Sequence, residues 1–193
     1  MPLSRGKGGF FMQKNKKLKA FSNVQALCLA ALMSALAVVI SYVCKSFTLT
    51  MSVRITFENL PIILSGYLLG PVAGLYTGLC ADLVSTAATY GVGGINPILT
   101  VGAASVGFVA GLVSHRIILK KSVFQVFISV FSAHIVGNML IKTVGLYVYY
   151  RTPPVEILTR IAVYLGIATV ESLILSVILK SRGIEKASGG DKK

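Results

Sequence analysis

Charged and amide side chains interrupt a segment, residues 54–100, that is otherwise apolar enough to lie in a lipid bilayer. They are Arg54, Glu58, Asn59, Asp82 and Asn96. A charged side chain at the bilayer centre costs about 2.5–3.5 kcal/mol even on the most lenient scale, so such residues usually face protein or a water-filled cavity. This segment is therefore the first candidate for a polar binding site within an apolar protein.

Glu58 has two possible roles, and the sequence leaves both open. Arg54 lies four residues earlier on the same face of a predicted helix, so the two side chains could form a weak i,i+4 ion pair. Alternatively, the Glu58 carboxylate could accept two parallel N–H donors from the amidine-like edge of a heterocycle. Phe57 and Asn59 flank Glu58 and are expected at the same site.

Three polar residues, His134, Asn138 and Lys142, follow one another at intervals of four and therefore share one face of a predicted helix. A single histidine in such a helix is usually a packing residue, but three polar groups in register favour a cavity. Asp82 and Glu171 lie in the middle of other predicted helices, and we expect each to make a structural hydrogen bond between helices.

The glycine-rich stretch at residues 91–94 predicts a loop that bends sharply or approaches a ligand closely. Gly94 and Asn96 are therefore candidates for the same site. No Lys-Ser or Lys-Thr pair follows the stretch, so it does not match a phosphate-binding loop.

The cysteines are scattered without a CxxC pair, and hydrolase and kinase motifs are missing. We therefore expect no enzyme activity, no metal site and no cofactor.

The composition predicts the elements that must hold these residues. Hydrophobic residues make up 54% of the 193-residue chain and charged residues 13%, whereas a soluble domain carries about 25% charged residues. An all-α integral membrane protein with six transmembrane helices is predicted. The predicted helices span residues 24–43, 55–69, 71–89, 97–118, 123–149 and 155–179. They form one membrane domain at residues 23–180, between a basic tail at 1–22 and a polar tail at 181–193.

Positive charge is concentrated at one side of the predicted topology. Six Lys and Arg residues lie in the N-terminal tail, three lie at Arg116, Lys120 and Lys121, and five lie from Lys180 onward. By the positive-inside rule, this distribution places both termini in the cytoplasm. Topology and contact with anionic membrane lipid account for the net charge of +13, so we do not expect nucleic acid as a partner.

Small residues form two rows along the first predicted helix. Ala26, Ala30 and Ser34 lie in one row, and Ala31 and Ala35 lie in the next. Rows of this kind let a second helix approach closely within a bilayer. The second helix can belong to the same chain or to a separate membrane subunit, and periodicity alone does not distinguish the two.

Four motifs make the chain resemble a known family. They are RITFENLP at residues 54–61, GPVAG at 70–74, ADL at 81–83 and GINP at 94–97. Together with the six predicted helices and the alanine rows, they resemble the substrate-binding S-components of energy-coupling factor (ECF) vitamin transporters, and most of all the folate-type member. The resemblance covers nearly the whole predicted membrane domain.

The resemblance implies a bacterial cell-membrane protein that binds one vitamin in an outward-facing pocket and has no catalytic residues. It implies association with a transmembrane coupling subunit and two ATPase subunits, with the coupling subunit contacting Ala26, Ala30, Ala31 and Ala35. Folate is the implied substrate. Another vitamin (pantothenate, thiamine or a pyrimidine precursor) is the alternative, and a small membrane enzyme is a more distant one. The expected substrate-binding residues are Arg54, Phe57, Glu58, Asn59, Gly94, Asn96, His134, Asn138 and Lys142.

Folate ends in an acidic glutamate, which calls for a cation at the outer side of the membrane. The cations predicted to lie toward that side are Lys45, Arg54, Lys142, Arg151 and Arg160. Lys142 is the first choice because Asn138 shares its helix face. We therefore expect Lys142 to contact the acidic tail of the ligand.

Overall fold

The computed structural model describes residues 24–44, 56–117 and 123–180. Arg54, Lys45 and the predicted tails lie outside the described residues. Within the described parts the chain is helical, with six helices as predicted. The helices are α1 (Val24–Cys44), α2 (Asn59–Leu69), α3 (Pro71–Tyr90), α4 (Pro97–Leu112, continued by a π-helical turn at Val113–Ile117), α5 (Val123–Ala133, a π-helical stretch at His134–Ile141, then Lys142–Tyr150) and α6 (Pro154–Lys180).

Helix α2 begins later than the sequence predicts. The predicted start near residue 55 is wrong, because Thr56 and Phe57 are not helical and the helix begins at Asn59. The Glu58 backbone N–H donates to Thr56 Oγ1 at 3.2 Å, which holds a turn ahead of the helix. Pro61 then lies in the first helical turn, where its missing N–H costs no hydrogen bond. Glu58 consequently precedes the helix and is not part of it.

Four of the described helices are long and apolar enough to cross a membrane. They lie at Val24–Cys44, Pro97–Arg116, Phe124–Tyr150 and Pro154–Lys180. Helix α2 has 11 residues, about 16 Å at 1.5 Å per residue, which is well short of a hydrocarbon core of about 30 Å. Helix α3 has 20 residues but is not among the four, and Asp82 lies in its middle.

Helix α4 lies at the centre of the fold and packs against α2, α3 and α5. Its approach to α3 depends on glycine, because a Cβ on Gly107 would overlap the backbone of Gly74, and the reverse is also true. Gly66 of α2 meets the same part of α4. Small residues allow helices to pack this closely where no hydrophobic effect drives them together.

The turn between α2 and α3 also requires a glycine. Gly70 has a φ of 108°, a conformation that side-chain-bearing residues rarely adopt, and its N–H donates to Gly66 O at 3.0 Å. Pro71 starts α3 directly afterwards, as predicted. The short α2 is therefore joined tightly to α3, with Glu58 at one end of this pair and Gly70 at the junction.

Candidate functional site

A small pocket, partly open to the surface, lies between the first four helices. Its lining combines two acids and two hydroxyl groups with four apolar side chains. The lining residues are Ala37, Ser41, Glu58, Ile62, Ala81, Asp82, Ser85 and Ala103.

Glu58 enters this pocket from the turn before α2. Its side chain is 24% exposed, and its Oε1 lies 4.0 Å from Lys142 Nζ on α5. The Lys142 side chain crosses α4 at Gly102, where any Cβ would overlap it. The predicted ion pair with Arg54 concerns a residue outside the described part of the chain. Lys142 is thus the cation that the structure places beside Glu58.

Asp82 is the second acid of the pocket, and it also links two helices. Its Oδ2 accepts a hydrogen bond of 2.8 Å from Thr100 Oγ1 on α4. The predicted structural hydrogen bond between helices is therefore confirmed. The same carboxylate lines the pocket, although the sequence predicts only the structural hydrogen bond for it.

Asn59 and Phe57 differ in their surroundings although both flank Glu58. Phe57 is half-buried in the turn ahead of α2 and does not line the pocket. Asn59 is 1% exposed, and neither Nδ2 nor Oδ1 of its amide has a hydrogen-bond partner among the described residues. An unpaired buried amide is costly, but Asn59, like Phe57, does not line the pocket.

Asn96 and Gly94 have structural positions outside the pocket. Asn96 is the N-cap of α4, where its Oδ1 accepts a hydrogen bond of 3.1 Å from the Ile98 backbone N–H. Gly94 ends a short 3₁₀ turn, Val92–Gly94, and a Cβ there would overlap Tyr90. An Asn-Pro pair is a known sequence signal for a helix start, because asparagine caps and proline suits the first turn.

The polar face predicted on α5 is present, but it is divided between two environments. His134 and Asn138 are completely buried, whereas Lys142 reaches Glu58. Asn138 Nδ2 donates to His134 Nδ1 at 2.9 Å, so the ring hydrogen lies on Nε2 and is donated to Glu171 Oε2 at 2.7 Å. The predicted interhelical hydrogen bond of Glu171 is therefore confirmed, and it joins α6 to α5.

This buried network should contribute stability rather than vitamin binding. Replacing Glu171 with leucine leaves the buried His134 donor without an acceptor, which costs about 1–3 kcal/mol. We therefore expect Glu171→Leu to lower the unfolding temperature of the detergent-purified protein clearly, and Glu171→Gln, which keeps an acceptor, to lower it less. Glu156→Gln, at the half-exposed start of α6, is the matched control. Equal unfolding temperatures for all three variants would contradict this role.

The alanine rows of α1 point in different directions. Ala30 is 7% exposed, and Ser34, one turn later, reaches the Thr77 carbonyl of α3 at 3.4 Å. Ala31 and Ala35 are exposed, and Ala26 is half-buried. The structure therefore uses the row that contains Ala30 for internal packing and leaves the row that contains Ala31 and Ala35 on the surface.

Comparison with solved structures relates this fold to that of FolT, in a crystal structure described as bound with folic acid. The two chains share 17% sequence identity and a TM-score of 0.66, over 81% of this chain and 93% of the FolT chain. The likeness shows that the two chains have the same fold. None of the curated proteins matches this chain in sequence.

Comparison with protein families gives a match over most of the chain. The model of the family described as "ECF transporter, substrate-specific component" matches residues 25–180. This range contains the six helices apart from Val24, together with the pocket and the buried network of α5 and α6. The family consists of transporter components and not of enzymes. The chain therefore belongs to the family of substrate-specific components of ECF transporters.

Proposed function

We propose that this protein is a folate-binding S-component, which captures folate outside the cell and delivers it through a coupling subunit and two ATPase subunits. The observation that carries the proposal is the pocket between the first four helices. It places Glu58 and Asp82 within an apolar bundle and sets Lys142 beside Glu58. Acids among apolar side chains of a membrane protein commonly mark a functional site.

The chemistry of the pocket suits a pterin, the ring system of folate. The pyrimidine edge of a pterin carries a ring N–H and an amino group side by side. A carboxylate accepts two parallel donors of this kind at once, and its charge strengthens both hydrogen bonds. The FolT structure bound with folic acid, which has the same fold, supports the same substrate.

The proposed orientation places both termini in the cytoplasm of a bacterial cell, because the topology predicted from the sequence assigns the basic residues of both ends and of the α4–α5 connection to one side. The side of the bundle that holds Glu58 then faces outward, where it can receive the vitamin. The membrane domain is proposed to comprise residues 23–180, with cytoplasmic tails at 1–22 and 181–193.

Calorimetry on the detergent-purified full chain tests the proposal. The chain has no tryptophan, so a heat signal is more suitable than fluorescence quenching. The protein is titrated with folate, thiamine, a hydroxymethyl aminopyrimidine and pantothenate. The proposal predicts tight, saturable binding of folate without added metal or nucleotide. Binding of another vitamin but not of folate would agree with the proposed role as an S-component but would contradict folate as its substrate.

Lys142 offers a test of where the ligand lies. The sequence predicts that Lys142 contacts the acidic tail of folate, but the structure places its Nζ 4.0 Å from Glu58, at the end proposed for the ring. We therefore expect Lys142→Ala to lower the affinity for folate and the affinity for pteroate by similar factors. Pteroate lacks the glutamate tail of folate. A loss for folate with unchanged pteroate binding would instead assign Lys142 to the tail.

A further inference from the structure

We propose that Asp82 is a second recognition carboxylate, which accepts a hydrogen bond from the exocyclic amino group of the ligand's heterocycle. The inference rests on the proposed function and specifies its substrate class, a heterocycle with an amino group next to a ring nitrogen. In this arrangement the amino group lies between the carboxylates of Glu58 and Asp82. Both acids line the same pocket and enter it from different elements.

The contacts of Asp82 leave it able to bind a ligand. Its carboxylate receives one hydrogen bond from a side chain, the 2.8 Å contact of Thr100 with Oδ2. An ionised carboxylate has about four acceptor positions and this side chain lines the pocket, so acceptor positions remain for a ligand. Across residues 24–44, 56–117 and 123–180, Asp82 makes no ion pair.

The hydrogen bond with Thr100 does not by itself explain an acid at this position. The Thr100 hydroxyl already has a second acceptor in its own helix, the Asn96 carbonyl at 3.1 Å. Placing a charge inside the bundle costs free energy. If the carboxylate bonded Thr100 alone, a single hydrogen bond that Thr100 can also make within its own helix would have to offset this cost. A hydrogen-bond donor on the ligand would explain why the residue at this position is an acid. The hydrogen bond from Thr100 would then hold the carboxylate in position.

The two acids of the pocket differ in their electrostatic surroundings, and this difference suggests separate roles. Glu58 lies beside the positive charge of Lys142. Asp82 has no such neighbour among the described residues, so its side of the pocket strongly favours a hydrogen-bond donor. A pterin amino group carries two hydrogens. One of them points to the same side as the ring N–H, which suits Glu58, and the other points away, toward a second acceptor.

The test compares folate with an analogue in which a methyl group replaces the amino group, on the purified full chain. Asp82→Asn keeps the shape and an acceptor for Thr100 but loses the charge. We expect this variant to bind folate roughly ten- to a hundredfold more weakly, as for the loss of one charged hydrogen bond, and to bind the analogue with little change. Glu156→Gln, which removes an acid that does not line the pocket, should retain the affinity for folate.

The outcomes separate this inference from the proposed function. Equal losses of folate and analogue in Asp82→Asn, or normal folate binding in that variant, would overturn the role of Asp82 while folate stays the substrate. If the unaltered protein binds thiamine or the aminopyrimidine and not folate, the folate proposal fails, and the same variants are titrated with that ligand. Binding of pantothenate alone, which has no such amino group, would overturn both. Asp82→Ser provides a second replacement if Asp82→Asn is not recovered folded.

Discussion

Replacing Glu58 with glutamine should lower the affinity for folate by one to several orders of magnitude. Hydrogen bonds to a charged group contribute about 1.5–3 kcal/mol each, and the Glu58 carboxylate is proposed to accept two. Glutamine keeps the shape, but it replaces one acceptor oxygen by an N–H₂ group that faces the donors of the ring. The effect is measured by calorimetry on the purified protein, with Glu156→Gln as a control for loss of an acid elsewhere.

The rival explanation is that Glu58 serves to neutralise Lys142. The two charged atoms are 4.0 Å apart, which is beyond hydrogen-bond distance, and the Glu58 side chain is 24% exposed although Lys142 is buried. On the ligand-binding explanation, the unfolding temperature of the ligand-free protein therefore changes little in Glu58→Gln. Normal folate binding together with early unfolding would show that Glu58 is a structural partner of Lys142.

Much of the fold could be predicted because a bilayer imposes strict rules on sequence. Long apolar runs, proline at Pro71 and Pro97, and glycine between helices were enough to predict six helices and most of their ends. The start of α2 was missed because the turn at Thr56 depends on a single hydrogen bond that a backbone N–H donates to the Thr56 side chain. Periodicity does not report such a contact.

The candidate site could be predicted only in part. The sequence selected Glu58 and Lys142 separately, and the structure brings them together from the turn before α2 and from α5. The sequence did not distinguish the role of Lys142 from that of His134, which lies on the same helix face. The role of His134 depends on its hydrogen bond to Glu171 of α6, and spacing within one helix does not reveal a partner on another helix. Ser41 and Ser85 of the pocket were missed entirely. Isolated serines in apolar helices commonly bond their own backbone, so they carry little signal.

The two alanine rows of α1 differ in their exposure. Both alanine rows fit a close helix contact, but Ala30 is packed inside the bundle while Ala31 and Ala35 are exposed. Their helix face is proposed to contact the coupling subunit. The row that contains Ala30 already meets α3 through Ser34, which leaves the exposed pair for a partner.

Enlarging this exposed row should abolish vitamin uptake while the isolated protein still binds folate. Leucine at both Ala31 and Ala35 is compatible with lipid, so insertion into the membrane is preserved. In a close-packed contact, however, each added side chain costs about 1–3 kcal/mol, and the pair should weaken the complex by roughly tenfold or more. The measurements are co-purification with the coupling subunit, uptake by cells and calorimetry on the isolated chain.

Two control variants show whether the effect belongs to this row. Leu36→Phe adds bulk at an exposed position turned about 100° from Ala35, and it should leave uptake intact. Ala30→Arg places a charge inside the bundle and should reduce the yield of folded protein instead. If Ala31→Leu with Ala35→Leu lost folate binding while the complex still formed, these alanines would belong to the vitamin site. The coupling subunit would then have to dock on another part of the protein.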